Sequence, residues 1–484
     1  MSGGFLTSYA QAIPPEARVD AFVTSERRLT WISLLFSDFP NADIYLVGGA
    51  LRDILLGGLP HDIDLVVRNI EIADLQRWLT RHGACELIEK RFGTLKFVPH
   101  GMGGTLPLDI TLPRKEWISS GHTSGRRDLE TASDPRLPIK DDLARRDFTI
   151  NAMAFDLRRA RLVDPYGGLS DLHCGLVRAV LSPQARFYED ATRMLRGLRF
   201  ASQLRFGIEA RTWEALKENL HLIDNNILTE EGTHRYIVAR ESIGREFLLG
   251  LAAHPSHTLD LWEASGALER FLPDVAAMSR VVERDGETAL KKTRRVLELL
   301  KRPSLLAEHG RRNVPGAVLV AALMAFAEDD KAKRAYHICK RLYFHQFPTG
   351  HGARVDCEHV LWLLEHLHDF EREDPATMRP SHFERLYCSS RGQDLLLLAH
   401  AIAIASGRHT PARERLQTAR RLSRQICENA PPELVSGNDI SSLGIEPGPI
   451  YRTLLDEVRD AQLIGNIQTK EEALTLLANH TTSE

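Results

Sequence analysis

Apolar and polar residues follow two different rhythms along the chain, and the rhythm changes near residue 180. From about 43 to 175, short β-rich runs alternate with helical stretches and Gly/Pro turns. The runs are Ile44–Val47, Ile63–Val67, Lys96–Pro99, Leu106–Thr111, Ile150–Phe155 and Arg161–Val163, and their length and flanking turn residues predict strands. Ahead of them, Glu26 to Phe36 has helical apolar spacing. Beyond 180 the strand signals fade, and apolar residues recur at spacings of three and four, as in Val296, Leu297, Leu299 and Leu300. That spacing predicts helices through most of the remaining chain. Polar, Gly/Pro-bearing segments near 303–316, 347–354, 370–381 and 406–412 read as connections, and Pro431–Pro432 introduces a last small helical unit. The expected class is α+β. The expected division is a helical lead (1–42), a compact α/β head (43–178), and helical neck (179–272), body (273–430) and tail (431–484).

A chain of 484 residues is too long for one ordinary core; at roughly 100–200 residues per domain it predicts two to four units. Acidic residues number 65 and basic residues 62, for a formal net charge of −3. A balanced total does not by itself argue for nucleic-acid binding, but it can hide a local basic face. The six cysteines are widely spaced with no Cys-x-x-Cys pair, so neither a zinc site nor a disulfide framework is expected, and a reducing cytosol is the simpler setting. Apolar stretches are short and interrupted, so no membrane span is expected.

The candidate chemistry begins at Asp62-Ile63-Asp64-Leu65-Val66-Val67. On a strand, Ile63, Leu65 and Val67 share one face, while Asp62 and Asp64 share the other. Like charges so close need compensation, and oxygen ligands suit Mg²⁺. Pro107-Leu108-Asp109-Ile110-Thr111 repeats the alternation; on a neighbouring strand, Asp109 would add a third carboxylate. An isolated Asp-x-Asp equally fits a half-buried strand with a solvated face. Upstream, Tyr45-Leu46-Val47 runs into Gly48-Gly49 and a helix from Ala50 to Leu56. Glycines permit close backbone approach, the helix start offers free N–H groups for phosphate oxygens, and Arg52 can add a bidentate contact.

Two arginine-rich segments follow. In Arg145-Arg146-Asp147-Phe148-Thr149-Ile150-Asn151-Ala152, paired arginines beside an acid could form a surface ion cluster or a phosphate and ribose clamp. In Glu189 to Ala201, Leu195, Leu198 and Ala201 supply packing, whereas Asp190, Arg193, Arg196 and Arg199 form an i, i+3 row. Three arginines on one ridge need either solvent or an anionic ligand, and an Asp/Arg pair offers acceptors and donors for a base edge.

Together, LVGGALRDILLG, HDIDLVV, RRDFTINAMA and EDATRMLRGLRF resemble the motifs of the class II tRNA nucleotidyltransferase and bacterial poly(A) polymerase family, within the polymerase-β-like nucleotidyltransferase superfamily. The resemblance is strong over about 43–250 and weaker beyond. It implies a nucleotidyltransferase head followed by an all-helical neck, body and tail. It implies that Gly48, Gly49 and Arg52 hold a triphosphate and that Asp62 and Asp64 bind Mg²⁺, with Asp109 assisting. It assigns nucleotide contact to Arg146 and ribose recognition to Asp147. Asp190 and Arg193 become a protein template for CTP or ATP, with Arg196 and Arg199 contacting the nucleotide as well. Leu162 to Leu169, containing Asp164-Pro165-Tyr166-Gly167-Gly168, resembles the segment that couples head to neck.

The implied activity is template-independent addition of CCA-end nucleotides, the terminal A or C and A, to a tRNA 3′ end in the cytoplasm, with ATP, CTP and tRNA as partners. A poly(A) polymerase or a CC-adding enzyme is the alternative. The end LANHTTSE is not basic, unlike the tails usual in the poly(A) polymerases. No His-Asp pair marks a phosphohydrolase in Leu319 to Phe326, and His368-Asp369 reads as surface. Ser124-Gly125-Arg126-Arg127-Asp128, in the polar 119–138 loop, fits either an A-adding loop element or an ordinary solvated loop. Basic clusters at Lys291, Lys292, Arg294 and Arg295, and at Arg413, Arg415, Arg420, Arg421 and Arg424, are candidate RNA-phosphate contacts or solvated helix faces.

Overall fold

A computed structural model describes residues 13–89, 93–118, 129–228, 234–283, 285–328, 330–346, 354–407, 409–427 and 430–481. The 119–128 loop segment lies outside them, and with it Ser124 to Asp128. The chain divides into two compact units, 1–250 and 251–484, so the boundary falls inside the expected neck.

The N-terminal unit is built on a seven-stranded sheet, in order β3-β4-β5-β2-β1-β8-β9. Its strands are β1 (Asp43–Val47), β2 (Asp64–Arg68), β3 (Gly83–Glu89), β4 (Thr94–Pro99), β5 (Leu108–Thr111), β8 (Ala154–Asp156) and β9 (Arg161–Val163). β2 and β5 run parallel, with Asp64 opposite Asp109; β1 pairs antiparallel with β2. A separate hairpin joins β6 (Arg114–Ile118) to β7 (Leu129–Ser133). Ile44, Leu46, Leu65, Val67, Leu95, Phe97, Leu108 and Ile110 are fully buried. Trp31 packs edge-on to Phe97 at 5.3 Å. The opposite face is covered too: Tyr45, Val47 and Val66 pack on Ile139, Leu143, Ala152, Ala154 and Val180. The aspartate side of β2 is therefore not one solvated face; it is open only at the strand's start. β2 begins at Asp64, and Asp62 lies in the bend before it.

The strand expected over 150–155 is split. Thr149–Asn151 forms a 3₁₀ turn, and only Ala154–Asp156 joins the sheet. Thr149 explains the turn: its N–H donates to the Arg178 carbonyl at 2.9 Å, and its hydroxyl donates to buried Asp171 at 2.7 Å. The strand β3 and the β6–β7 hairpin fall outside the expected strands: β3 carries few large apolar residues, and Arg114-Lys115-Glu116 puts three consecutive charges on β6. Short strands also occur beyond 180, at Gly207–Ile208, Asn226–Leu228 and His234–Tyr236, where only helices were expected.

The C-terminal unit is helical among the described residues apart from isolated bridges. All nine residues of the helix Gly316–Met324 are buried. Two expected connections contain helix: Pro303–Glu308 and the start of His409–Cys427. In both, proline sits in the first turn, where its missing N–H costs nothing. Cys388 and Cys427 form a disulfide, which corrects the expectation of none; their Cα atoms are 5.3 Å apart although 39 residues separate them in sequence. Val435, Ile440, Leu454, Val458, Ile467, Ala473 and Leu477 form a small core of their own in the last segment.

Candidate active site

The site is assembled from the start of β2, the adjoining β5, and the turn leaving β1. Val47 hands the chain to Gly48, which adopts φ 71°, and the helix Gly48–Leu55 starts at once. A Cβ at Gly48 would lie 3.2 Å from an Arg146 Nη1 and 3.3 Å from an Asp64 Oδ2. The glycine therefore lets a guanidinium and a carboxylate close over the helix start. Asp64 stands opposite Asp109 in the parallel register. Burial pushes the Asp64 carboxyl up to about 6; Arg146 opposes this, while Asp109 and Asp62 add to it. Lys96, opposite Asp109 on β4, reaches its Oδ1 at 2.9 Å. Asp62 stands apart, 67% exposed and 2.9 Å from His61 Nδ1.

These donors suit a hard divalent cation. They are carboxylate oxygens that repel one another, and burial with acidic neighbours makes the Asp64 charge costly unless a cation joins it. No group of three His, Cys, Asp or Glu able to hold a metal occurs among the described residues. Mg²⁺ needs none, since it commonly takes one or two carboxylates together with substrate phosphates.

Behind the acids runs a continuous guanidinium–carboxylate lattice. Arg146 pairs with fully buried Asp142 at 3.2 Å, and Arg145 pairs with the same carboxylate at 2.8 Å. Burial works against the Asp142 charge, yet the two guanidinium groups hold its carboxyl below the usual range. Arg52 donates to the Asn151 Oδ1 at 2.9 Å, and Asn151 donates to Asp147 at 3.3 Å. Asp147 receives Arg196 at 2.6 Å. Burial again opposes ionisation, but Arg196 and the Phe148 N–H bring Asp147 down to about 2. Arg199 pairs with buried Glu246. The guanidinium carbons of Arg52, Arg196 and Arg199 lie 5.2, 5.3 and 4.0 Å from the Phe200 ring centroid.

The helix Thr192–Leu204 buries Leu195, Leu198 and Ala201 as the spacing predicts. Its charged row is paired rather than free, closed at Asp190 and Arg193 and partly open at Arg196. Arg193 is only 7% exposed and lies 2.8 Å from Glu189. Asp190 is buried and accepts from the Thr192 N–H at 2.9 Å. The structure thus gathers Gly48, Asp64, Asp109 and Arg146 at one point. It links Arg52, Asp147, Arg196 and Arg199 through Asn151 and Phe200, and leaves Asp62 at the margin. Gly49 sits beside Arg52, whose Nη2 would be 3.5 Å from a Cβ there. The sequence reading passed over Lys96, Glu116, Asp142, Asn151 and Phe200. Asn151 and Phe200 stood inside the quoted motifs, whereas Lys96 becomes visible only once the β4–β5 register is known.

The head thus combines acids at a strand start, a glycine-led helix beside them and an arginine lattice behind. Residues 44–178 match the family described as the Poly A polymerase head domain. The chain is 36% identical over 192 residues to a CCA-adding enzyme of Ligilactobacillus salivarius, covering 38% of this chain and 42% of that one. It is 32% identical over 244 residues to a CCA-adding enzyme of Lactobacillus helveticus, covering 50% and 54%. The matches thus span about half the length of these curated relatives. The fold is shared with a Bacillus stearothermophilus CCA-adding enzyme crystallised in complex with CTP, at TM-score 0.62 and 22% identity, over 97% of this chain and 98% of that one.

Proposed function

We propose that this protein is a tRNA nucleotidyltransferase that adds CCA-end nucleotides, the terminal A or C and A, from ATP and CTP, releasing pyrophosphate. The observation that carries the proposal is the registered pair Asp64 and Asp109 facing Gly48 and Arg146. The names of the relatives support the acceptor and the nucleotides. In this reading Asp64 and Asp62 would hold Mg²⁺ together with the substrate phosphates, Asp109 assisting, and the ion would supply Lewis-acid stabilisation of developing phosphate charge. The N–H groups at the start of Gly48–Leu55, with Arg52 and Arg146, bind the triphosphate. Asp147, fixed by Arg196, accepts from the ribose hydroxyls. Asp190 and Arg193 read the base edge, with Arg196 and Arg199 alongside. The RNA 3′-hydroxyl attacks the α-phosphate, and the residues act by positioning and charge stabilisation, without a covalent intermediate.

No helix among the described residues is long and apolar enough to cross a membrane, and we infer action on tRNA in the cytoplasm. In the helical unit the first basic cluster is already neutralised. Lys292 is buried against Asp285 at 2.7 Å, Arg294 meets Asp260 at 2.9 Å, and Lys291 and Arg295 share Glu287. Arg413, Arg421 and Arg424 are exposed on the helix His409–Cys427, which favours that helix for RNA phosphates.

The test offers purified protein a tRNA ending before the CCA, one ending at CC and a complete one, with labelled ATP and CTP supplied separately. We expect incorporation that stops at the complete end and that Asp64→Asn abolishes. Long adenosine tails on unstructured RNA would replace this reading with a poly(A) polymerase. Incorporation by the Asp64→Asn protein would remove the metal assignment.

A further inference from the structure

Four strands of the head sheet carry one row of charge. In the registers β3–β4, β4–β5 and β5–β2, Glu86 stands opposite Lys96, Lys96 opposite Asp109, and Asp109 opposite Asp64. Directly opposed residues share a face of the sheet. Leu65, Leu95, Phe97, Leu108 and Ile110, which alternate with them, are fully buried on the other face. The row therefore reads acid, lysine, acid, acid. The backbone fixes its last two members, since the Asp109 N–H donates to the Ile63 carbonyl at 3.0 Å.

Lys96 Nζ lies 2.9 Å from Asp109 Oδ1, and the two side chains are 42% and 32% exposed. A pair so open to water adds little to stability, so holding the sheet together does not account for it. Its effect falls on the neighbouring acids. Arg146 is committed to Asp142 at 3.2 Å, whereas Lys96 spends its charge directly on Asp109. An ammonium is a compact point charge on a flexible stem, able to hold a carboxylate and able to leave it. While it stays, it weakens the attraction that the three acids together exert on a further cation.

We propose that Lys96 is a positioning residue that sets divalent-ion occupancy: it neutralises Asp109 and holds that carboxylate aside, so that the protein alone binds a divalent ion weakly, through Asp64 and Asp62. This rests on the reading of these acids as Mg²⁺ ligands. Full occupancy then waits for the oxygens of a triphosphate, which ties metal binding to nucleotide binding.

The test titrates Mn²⁺ into the parent, Lys96→Gln, Lys96→Arg and Lys96→Glu without nucleotide, and counts free ion by electron paramagnetic resonance. We expect Lys96→Gln to bind Mn²⁺ several-fold more tightly than the parent and Lys96→Glu more tightly still. Lys96→Arg keeps the charge and should match the parent. Melting temperatures of the glutamine and arginine proteins without metal should stay at the parent value. In steady-state incorporation, the Mg²⁺ concentration giving half the maximal rate should fall in Lys96→Gln by the same factor as the Mn²⁺ dissociation constant. Adding Asp64→Asn to Lys96→Gln should cancel the gain in affinity. Equal Mn²⁺ affinity across the series would overturn the proposal. Weaker binding by Lys96→Gln would do so too, by making Lys96 a support for the ligand geometry. A gain that survives Asp64→Asn would place the ion elsewhere and also overturn it. The expected shifts in a protein that extends no tRNA would leave this inference standing and count against the acceptor reading alone. Addition that stops at the complete CCA end, with Mn²⁺ affinity unmoved by any variant, would keep that reading and sink this one.

Discussion

Asp64 is half-buried and Asp147 buried, and their environments drive the two carboxyls in opposite directions. Burial with two acidic neighbours lifts Asp64 to about 6, so without a cation it takes up a proton as the pH falls through that value. Divalent-ion affinity should therefore decline by about tenfold per pH unit below 6, because the ligand must first lose its proton. Calorimetry with Mg²⁺ or Mn²⁺ between pH 5 and 8 checks this, and a flat profile would contradict it. Asp147 is depressed from 3.8 to about 2. Its stabilising contribution is present above 3.8 and is lost as the pH falls toward 2, about 2 kcal/mol in all. Urea unfolding across that window should show a shallower pH dependence for Asp147→Asn than for the parent. At the position proposed to read the base, Arg193→Ala should degrade the choice between ATP and CTP more than it weakens RNA binding; unchanged selectivity would remove the recognition role. Residue chemistry was legible where a motif quoted it, as at Asp64 and Arg146. It was not legible at Lys96 or Glu116, whose importance comes from partners distant in sequence.

At the scale of elements, the turn from β1 into the helix Gly48–Leu55 is sensitive to a single added atom. Gly48→Ala introduces a Cβ at a positive φ and sets it between Arg146 and Asp64. We expect a stability loss of about 1 kcal/mol or more and a raised KM for both nucleotides, measured by thermal melting and steady-state kinetics; parent-like KM values would place the triphosphate elsewhere. Strands β1, β2, β4, β5 and β9 were visible from alternation and apolar runs. The segment 149–151 was not, because the Thr149 hydroxyl and N–H find partners that favour a turn over a sheet ladder. The alternation of 62–67 puts Asp62 beside Asp64 on one strand face. The bend before β2 carries it outward instead.

For the whole molecule, a net charge of −3 gave no hint of where cations are available. The structure separates spent from unspent charge: Lys292 is sealed against Asp285, while Arg421 and Arg424 stay exposed. Replacing both arginines by alanine should reduce the salt dependence of tRNA affinity by about two in logarithmic slope, leaving nucleotide KM unchanged; an unaltered slope would move the RNA off this helix. The disulfide Cys388–Cys427 was hidden from a spacing argument because two helices, not a motif, bring the cysteines together. It closes a 39-residue separation, so its reduction should destabilise the helical unit by about 3–4 kcal/mol on the chain-entropy account. Melting with and without reductant, alongside Cys388→Ser, measures this.

Phe200 carries a broader consequence. Arg52 belongs to the element that starts beside the acids, and Arg196 and Arg199 belong to the helix Thr192–Leu204, yet all three rest on this one ring. An aromatic face attracts cations without neutralising them. The ring therefore acts as a spacer of fixed dimension that keeps mutually repelling groups at a set separation, while the carboxylates of Asp53, Asp147 and Glu246 balance their charge. Its size becomes a length standard for the head: a smaller side chain there would change the gap between the two arginine-bearing helices before it changed any charge.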